Sequence, residues 1–101
     1  MCSDGSIYTG CNIENASYGA TLCAERVAIG KAISNGKRDF LAIAIVGSGN
    51  DYCYPCGICR QVMSEFCRSD FKIVLPLENK ETCVTSIEEL LPYSFTNRNM
   101  K

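Results

Sequence analysis

Three cysteines stand at equal spacing in DYCYPCGICRQV, residues 51–62: Cys53, Cys56 and Cys59. Taken in pairs they make two overlapping C-x-x-C motifs, and two thiolates on one helical turn suit a tetrahedral zinc ion. Pro55 and a helix predicted to begin near Cys56 favour the second pair, because a helix N-terminus favours thiolate over thiol. For this motif alone, two buried structural cysteines or a redox pair remain alternative interpretations.

A second group of such residues lies at Leu22-Cys23-Ala24-Glu25-Arg26, which also opens a predicted helix. A lone helical glutamate such as Glu25 is usually a solvated surface group. C-x-E at one helix start followed by P-C-x-x-C at another, however, matches a zinc deaminase signature. Three protein ligands leave the fourth zinc position open, which is typical of a catalytic site. Arg26 is either a tuning charge beside these thiolates or a surface arginine.

The elements that must position these groups alternate between strand and helix, which predicts an α/β fold with a covered sheet. The predicted strands are Ser6–Cys11, Phe40–Val46, Phe71–Leu75 and Thr82–Thr85; the predicted helices are Leu22–Asn35, Cys56–Cys67 and a short one after Ser86.

Several of these elements carry specific expectations. The turn Asp4-Gly5 should precede the first strand, and Thr21 and Gly36 should bound the first helix. The run Phe40–Val46 is apolar throughout, as in a strand buried on both faces. In the second helix an apolar face is predicted from Ile58, Val62 and Phe66. Ser86 and Glu89 form a capping box for the last helix, which Pro92 limits.

Composition narrows the class of protein. A chain of 101 residues with a net charge of −1 predicts one domain, residues 1–101, with no nucleic-acid or membrane partner. No export signal or long apolar run is present, so we expect a soluble protein of the cytoplasm. The chain contains no histidine, so carboxylates must move protons and thiolates or oxygens must hold any metal.

The eight cysteines leave two further alternatives. A disulfide scaffold is one, but the missing export signal and the ordinary apolar faces favour reduced thiols with a metal-binding subset. An iron–sulfur module is the other, prompted by C-x-x-C-x-x-C. A bacterial cluster motif would have its fourth cysteine where Met63 stands, and Pro55 interrupts the run earlier.

The sequence resembles the small cytidine deaminase family, in the form whose zinc has three cysteine ligands. The resemblance covers nearly the whole chain and rests on four blocks in the family's order: CNIENASY from Cys11, CAER from Cys23, PCGICRQV from Pro55, and Leu90-Leu91-Pro92 with Phe95. It implies a three-layer α/β/α fold with a mixed central sheet, one zinc ion per chain and a homotetramer, or a dimer. The activity it implies is hydrolytic deamination of cytidine and deoxycytidine in pyrimidine salvage.

The resemblance also implies residue roles. The metal ligands would be Cys23, Cys56 and Cys59. Glu25 would carry protons between water, the pyrimidine N3 and the leaving amine. The implied substrate-binding residues are Asn12, Glu14, Ala24 through its backbone N–H, and Tyr18 and Phe95 contributed by neighbouring subunits. Arg26 would tune the charge of the zinc site. Without the resemblance, Asn12 and Glu14 would be polar residues at an ordinary strand end, and Tyr18 and Phe95 would be ordinary core aromatics.

The chain also departs from this family. It begins at the end of the family's first strand, so the family's N-terminal helix and first strand are expected to be absent from the sheet. Tyr54 replaces a usual serine whose contribution is expected to be a main-chain carbonyl. Cys2, Cys53 and Cys83 are interpreted as non-catalytic thiols. A non-catalytic zinc-binding protein or assembly partner with the same fold is therefore the alternative function.

Overall fold

Among the described residues, three strands form one mixed sheet, and three α-helices pack around it. A computed structural model describes residues 1–78 and 80–96 of the chain. The elements are a 3-10 turn Tyr18–Ala20, α1 Ala24–Ser34, β1 Ala42–Ala44, α2 Gly57–Phe66, β2 Lys72–Leu75, β3 Cys83–Ser86 and α3 Ile87–Leu90. The strand order is β1-β2-β3, with β1 parallel and β3 antiparallel to β2. The predicted α/β class with a mixed sheet is confirmed.

The core forms between β2 and the helices. Ile73 and Leu75 are fully buried on β2, and Cys59 and Met63 are fully buried on α2. This last pair corrects the apolar face predicted for the second helix, since Ile58 is 61% exposed. The inward face is set by residues four apart, and it begins at Cys59, whose thiol belongs to a cluster described below.

Strand β1 is shorter and more exposed than predicted. Regular pairing covers Ala42–Ala44 alone, and Ala44 and Val46 are exposed. The expectation of a strand buried on both faces was wrong. Among the described residues β1 has a full ladder with β2 on one side, while its other side borders an open cavity.

The prediction of a strand at Ser6–Cys11 was wrong. Residues 6–11 belong to no strand, since no neighbouring strand of the described chain forms a ladder with them. The turn before them is confirmed: Gly5 has a φ of 88°, which a glycine adopts without strain. Bridges hold the two flanks of this segment, Cys2 to Phe40 and Ile13 to Leu22.

Helix α1 begins later than predicted, with Cys23 and not Thr21 as its N-cap residue. The backbone of Leu22 is kept extended by its bridge to Ile13, which delays the first helical turn. The predicted end is confirmed: Gly36 follows the C-cap with a φ of 82°.

The short helix α3 is confirmed, with the Ser86 half of its predicted capping box; Glu89 Oε1 accepts from the Ser86 hydroxyl at 3.3 Å and not from the Ser86 backbone N–H. Its N-cap hydroxyl, Ser86 Oγ, accepts the backbone N–H of Glu89 at 3.2 Å. None of the described helices has the length and apolar character that crossing a membrane requires.

Candidate metal centre

Two helix starts bring three thiols together. The Sγ atom of Cys56 lies 3.6 Å from that of Cys23 and 3.5 Å from that of Cys59, and all three lie within 4.8 Å of one another. Sulfur ligands about 2.3 Å from a tetrahedral zinc ion stand about 3.8 Å apart. The donor set therefore fits zinc. Cys53 does not belong to this group among the described residues.

Helix α2 supplies two of the thiols in contrasting environments. Cys56 is the exposed N-cap residue of the helix, and its thiol pKa is lowered, first by the backbone N–H of Cys59. Cys59 is completely buried, and burial raises the pKa of its thiol, with hydrogen bonds to the neighbouring thiols adding to the shift. A dication bound here must displace the Cys59 proton, so metal affinity depends on pH.

An arginine one turn into α2 holds the loop that leads to Cys56. Arg60 Nε donates to the carbonyl of Pro55 at 2.8 Å, and its Nη1 donates to the carbonyl of Leu90 at 3.0 Å. The Arg60 guanidinium thus links Pro55, the residue before Cys56, to Leu90 at the end of α3. Next to it, Gln61 Nε2 donates to the carbonyl of Phe95 at 2.5 Å.

Helix α1 supplies the third thiol and a positive charge. Arg26 Nη2 donates to the Thr21 carbonyl at 3.1 Å and lies 3.9 Å from Cys23 Sγ. Hydrogen bonds to Cys23 and Cys59 raise the pKa of the Arg26 guanidinium above its ordinary value. Its buried Nε has no hydrogen-bond partner among the described residues. A guanidinium held against thiols in this way can offset part of the charge that three thiolates carry.

A large cavity lies beside the start of α1, although Cys23, Cys56 and Cys59 are not among the described residues that line it. It is open to solvent, measures about 950 Å³ and lies between residues 7–12, the start of α1 and the edge of β1 that faces away from β2. Asn12, Ala24 and Glu25 line it. Glu25 also lies near the thiols, because its negative charge is one of the groups that raise the Cys59 pKa. Glu25 therefore lines a space large enough for a small molecule and lies within electrostatic range of Cys59.

The other predicted substrate-binding residues are placed differently. Glu14, Tyr18 and Phe95 are not among the described residues that line the cavity, and the Tyr18 side chain is 89% exposed. The backbone N–H of Ala24 is not free, since it donates to Asn12 Oδ1 at 2.8 Å. The structure thus brings Asn12, but not these three side chains, to the cavity.

Sequence reasoning missed two kinds of residue around the centre. Gly10 approaches the backbone of α1, and a glycine within a strand-like run is a signal of such an approach. Arg60 and Gln61 reach carbonyls about thirty residues away in the chain, and no local pattern encodes such contacts. Tyr52 also lines the cavity, with its hydroxyl held by the Glu81 carbonyl at 2.6 Å.

Comparison with known proteins gives consistent relatives. The model of a family described as the cytidine and deoxycytidylate deaminase zinc-binding region matches residues 1–75. A cytidine deaminase of Halalkalibacterium halodurans is 48% identical over 100 residues, which cover 99% of this chain and 76% of the relative. A blasticidin-S deaminase of Bacillus cereus is 36% identical, with 91% and 70% covered.

A solved structure is similar over the same extent. The crystal structure of cytidine deaminase from Burkholderia pseudomallei superposes with a TM-score of 0.88 at 44% identity. The match covers 94% of this chain and 76% of that one. Both the sequence and the described fold therefore lead to one family.

Proposed function

Because the chain belongs to the cytidine and deoxycytidylate deaminase zinc-binding family, we propose that it hydrolyses cytidine and deoxycytidine to uridine and deoxyuridine, with release of ammonia. The proposal places this reaction in pyrimidine salvage in the cytoplasm. One observation carries it: three thiols suited to zinc lie within electrostatic range of a carboxylate, Glu25, which lines a cavity large enough for a small molecule.

In the proposed reaction the three cysteines hold the metal and Glu25 moves the protons. When bound, zinc supplies a Lewis acid that makes hydroxide available near neutral pH. Glu25 accepts the proton that water loses and donates it to N3 of the pyrimidine ring. Once hydroxide has added to C4, the same carboxylate takes the proton of the new C4 hydroxyl and gives it to the amine, so that the C4–N bond breaks, ammonia leaves and C4 becomes a carbonyl. A single carboxylate can serve both steps in a chain without histidine.

Two polar residues are proposed to hold the sugar. Asn12 lines the cavity, and Glu14 follows it by two residues. We assign their amide and carboxylate to the ribose hydroxyls. The proposed contact of the Ala24 N–H with the base requires Asn12 Oδ1 to share that donor, because the two already form a hydrogen bond.

Arg26 is proposed to tune the charge at the centre. Three thiolates on a dication leave a net negative charge, which weakens a Lewis acid. The Arg26 guanidinium forms hydrogen bonds with Cys23 and Cys59 and offsets part of that charge. Arg26→Gln should therefore lower kcat more than it raises KM. An unchanged kcat would exclude the tuning role.

A homotetramer, or a dimer, is proposed as the working assembly. Tyr18 and Phe95 are 89% and 61% exposed, and the Phe95 backbone is anchored to α2 through Gln61. Large exposed aromatics are typical of interfaces between subunits. Sedimentation of the zinc-loaded protein tests this assembly, and a monomer at every concentration would exclude it.

The decisive experiment is the substitution Glu25→Gln, which keeps size and shape but removes the proton carrier. We expect cytidine turnover to fall by about 10²- to 10⁴-fold, with one zinc ion per chain retained. Glu88→Gln, on the exposed surface of α3, is the matched control and should keep the wild-type rate. If Glu25→Gln keeps that rate as well, the assigned role is wrong.

Two further measurements separate the alternatives. Zinc-loaded wild-type protein that neither turns over cytidine nor binds a hydrated-pyrimidine analogue would favour a non-catalytic zinc protein. Faster turnover of blasticidin S than of cytidine would favour an antibiotic nucleoside as substrate, as the name of the Bacillus cereus relative suggests. We expect cytidine to be the better substrate.

A further inference from the structure

Gly10 touches the first turn of α1 with its backbone. A Cβ atom added at this position would overlap the Ala24 carbonyl oxygen and would lie 2.8 Å from Ala28 N and 3.1 Å from Val27 Cβ. The first two obstacles are backbone atoms of a helix, which cannot rotate away. Only glycine permits this approach, so the residue fixes how closely the segment before Asn12 lies against α1.

The approach brings Asn12 to the start of the helix. The N-cap residue of α1 is Cys23, and its side chain makes no capping hydrogen bond. Asn12 Oδ1 accepts the Ala24 N–H at 2.8 Å instead, so a side chain distant in sequence satisfies the first backbone donor of α1. Just beyond it, Ile13 and Leu22 exchange two backbone hydrogen bonds of 2.8 and 2.9 Å.

From these contacts we propose that Gly10 and Asn12 are positioning residues of the centre. Gly10 permits the close approach, and Asn12 caps α1 and so holds the segment that carries Cys23 and Glu25 in place. This role is distinct from the ribose contact and rests on the proposed function only for its effect on substrate. Its effect on metal binding is independent of any substrate.

The cap also fixes which way the amide faces. Because Ala24 N–H is a donor, the Asn12 atom that meets it must be the carbonyl oxygen. The amide nitrogen has no partner among the described residues, and Asn12 lines the cavity. The Asn12 amide donor is therefore left available for the ribose contact proposed above.

Two substitutions at one position test the cap. Asn12→Asp keeps an oxygen for the Ala24 N–H but loses the amide donor, whereas Asn12→Ala loses both. Zinc affinity, measured by competition with a chromophoric chelator, should stay within about twofold of wild type in the aspartate variant. It should fall about fivefold in the alanine variant. Equal zinc affinity of Asn12→Ala and wild type would overturn the positioning role. Cytidine KM should rise about tenfold in both variants.

Gly10→Ala tests the close approach, with Gly30→Ala as control because nothing lies within 4 Å of a Cβ at Gly30. We expect Gly10→Ala to lose zinc affinity at least as far as Asn12→Ala and to raise cytidine KM at least about tenfold, while the control matches wild type. A Gly10→Ala protein with wild-type zinc affinity and KM would overturn the proposal.

The two proposals fail in different ways. Should Gly10→Ala not fold, the Asn12 pair still decides the positioning role, since both of its members keep the glycine. Should wild type bind zinc without turning over cytidine, the proposed function fails. The difference in zinc affinity between Asn12→Asp and Asn12→Ala then still tests the cap.

Discussion

Helices α1 and α2 perform the same task by different means. Each begins at a cysteine of the thiol cluster. In α2 the motif Pro55–Cys59 is contiguous, and the helix's own Arg60 holds the Pro55 carbonyl. In α1 a single proposed ligand, Cys23, lies at the helix start. That start is capped by Asn12, which belongs to a segment of irregular structure. One start is organised locally, and the other depends on a tertiary contact.

The two helices are also attached to opposite ends of the chain. Residues 1–13 contact α1 at both of its ends, through Asn12 at the first turn and through Asp4 at Lys37 beyond the last. Helix α2 is attached to the segment 90–95 through Arg60 and Gln61. Changes near either end of the chain should therefore disturb different ligands of one metal.

The largest expected effect tests whether both helix starts are needed. Cys23→Ser and Cys59→Ser each remove one thiolate from the fitted set of three, so each should weaken zinc binding by at least about 100-fold. The loss of zinc binding is measured as the zinc content that remains after dialysis against a chelator. Cys53→Ser is the control and should keep one zinc ion per chain. A loss of zinc there, or its retention in Cys23→Ser, would contradict the assigned ligand set.

The next effect tests the local support of α2. Arg60→Met leaves the carbonyls of Pro55 and Leu90 without their charged donor. The free energy of unfolding, measured with urea on zinc-free protein, should fall by about 2 kcal/mol. Arg38 also donates to two carbonyls, those of Ile33 and Lys37, but in an exposed position.

Arg38→Met therefore serves as the control, and its effect should stay within about 0.5 kcal/mol. Equal losses in the two variants would mean that Arg60 acts as an ordinary surface residue. The expected difference comes from burial, since a half-buried carbonyl that loses its donor cannot recover water as easily as an exposed one.

The same contrast explains what the sequence could predict. The α2 start was predicted within one residue, because Pro55 and the C-x-x-C motif that marks the helix start lie together in the sequence. The α1 start was misplaced at Thr21, because the bridge between Ile13 and Leu22 delays the helix and no local propensity records it. Local chemistry is readable from neighbouring residues, whereas long-range contacts are not.

The irregular segment was mispredicted for a related reason. Residues 6–11 carry a strand-like pattern, but a strand needs a neighbour, and among the described residues none forms a ladder with them. The exposed Ile58 was misassigned because a periodic apolar pattern does not say which of two faces turns inward. In the structure Cys59 and Met63 lie inside instead.

A smaller effect contrasts the two ends of α2 itself. The pKa of Cys56 is lowered at the first turn, whereas burial raises the pKa of Cys67, the C-cap residue, to about 12. At pH 8 only about 10⁻⁴ of Cys67 is thiolate. In zinc-free protein, iodoacetamide should therefore alkylate Cys56 faster than Cys67, as peptide mass spectrometry measures. Rapid labelling of Cys67 in the folded protein would contradict its burial.

The raised pKa of Cys67 also sets the sign of a stability change. The native thiol keeps a proton that the unfolded chain releases above about pH 8.5. The stabilisation from this group is therefore complete below that pH and is lost as the pH rises toward 12. Cys67→Ala should show a shallower loss of stability between these two values than wild type.

The smallest effect concerns the far end of α1. Lys37 Nζ lies 2.7 Å from Asp4 Oδ2, and this contact, with hydrogen bonds from Ser6, holds the pKa of the Asp4 carboxyl well below its usual range. A lowered carboxyl pKa stabilises the fold above about pH 3.9 and ceases to do so as the pH falls toward the native value. Both groups are exposed, so the gain in stability should be small.

Lys37→Gln should raise the Asp4 pKa, as NMR titration of the side-chain carbonyl measures, while zinc affinity and the urea midpoint at pH 7 hardly change. The contrast with Asn12 is the informative result. Both residues link the segment 1–13 to α1, but Asp4 binds beyond the last turn and Asn12 at the turn that bears Cys23. If Lys37→Gln weakened zinc binding as much as Asn12→Ala, the segment would act on α1 as one rigid unit. An effect confined to Asn12→Ala would locate its influence at the helix start, where the metal ligand lies.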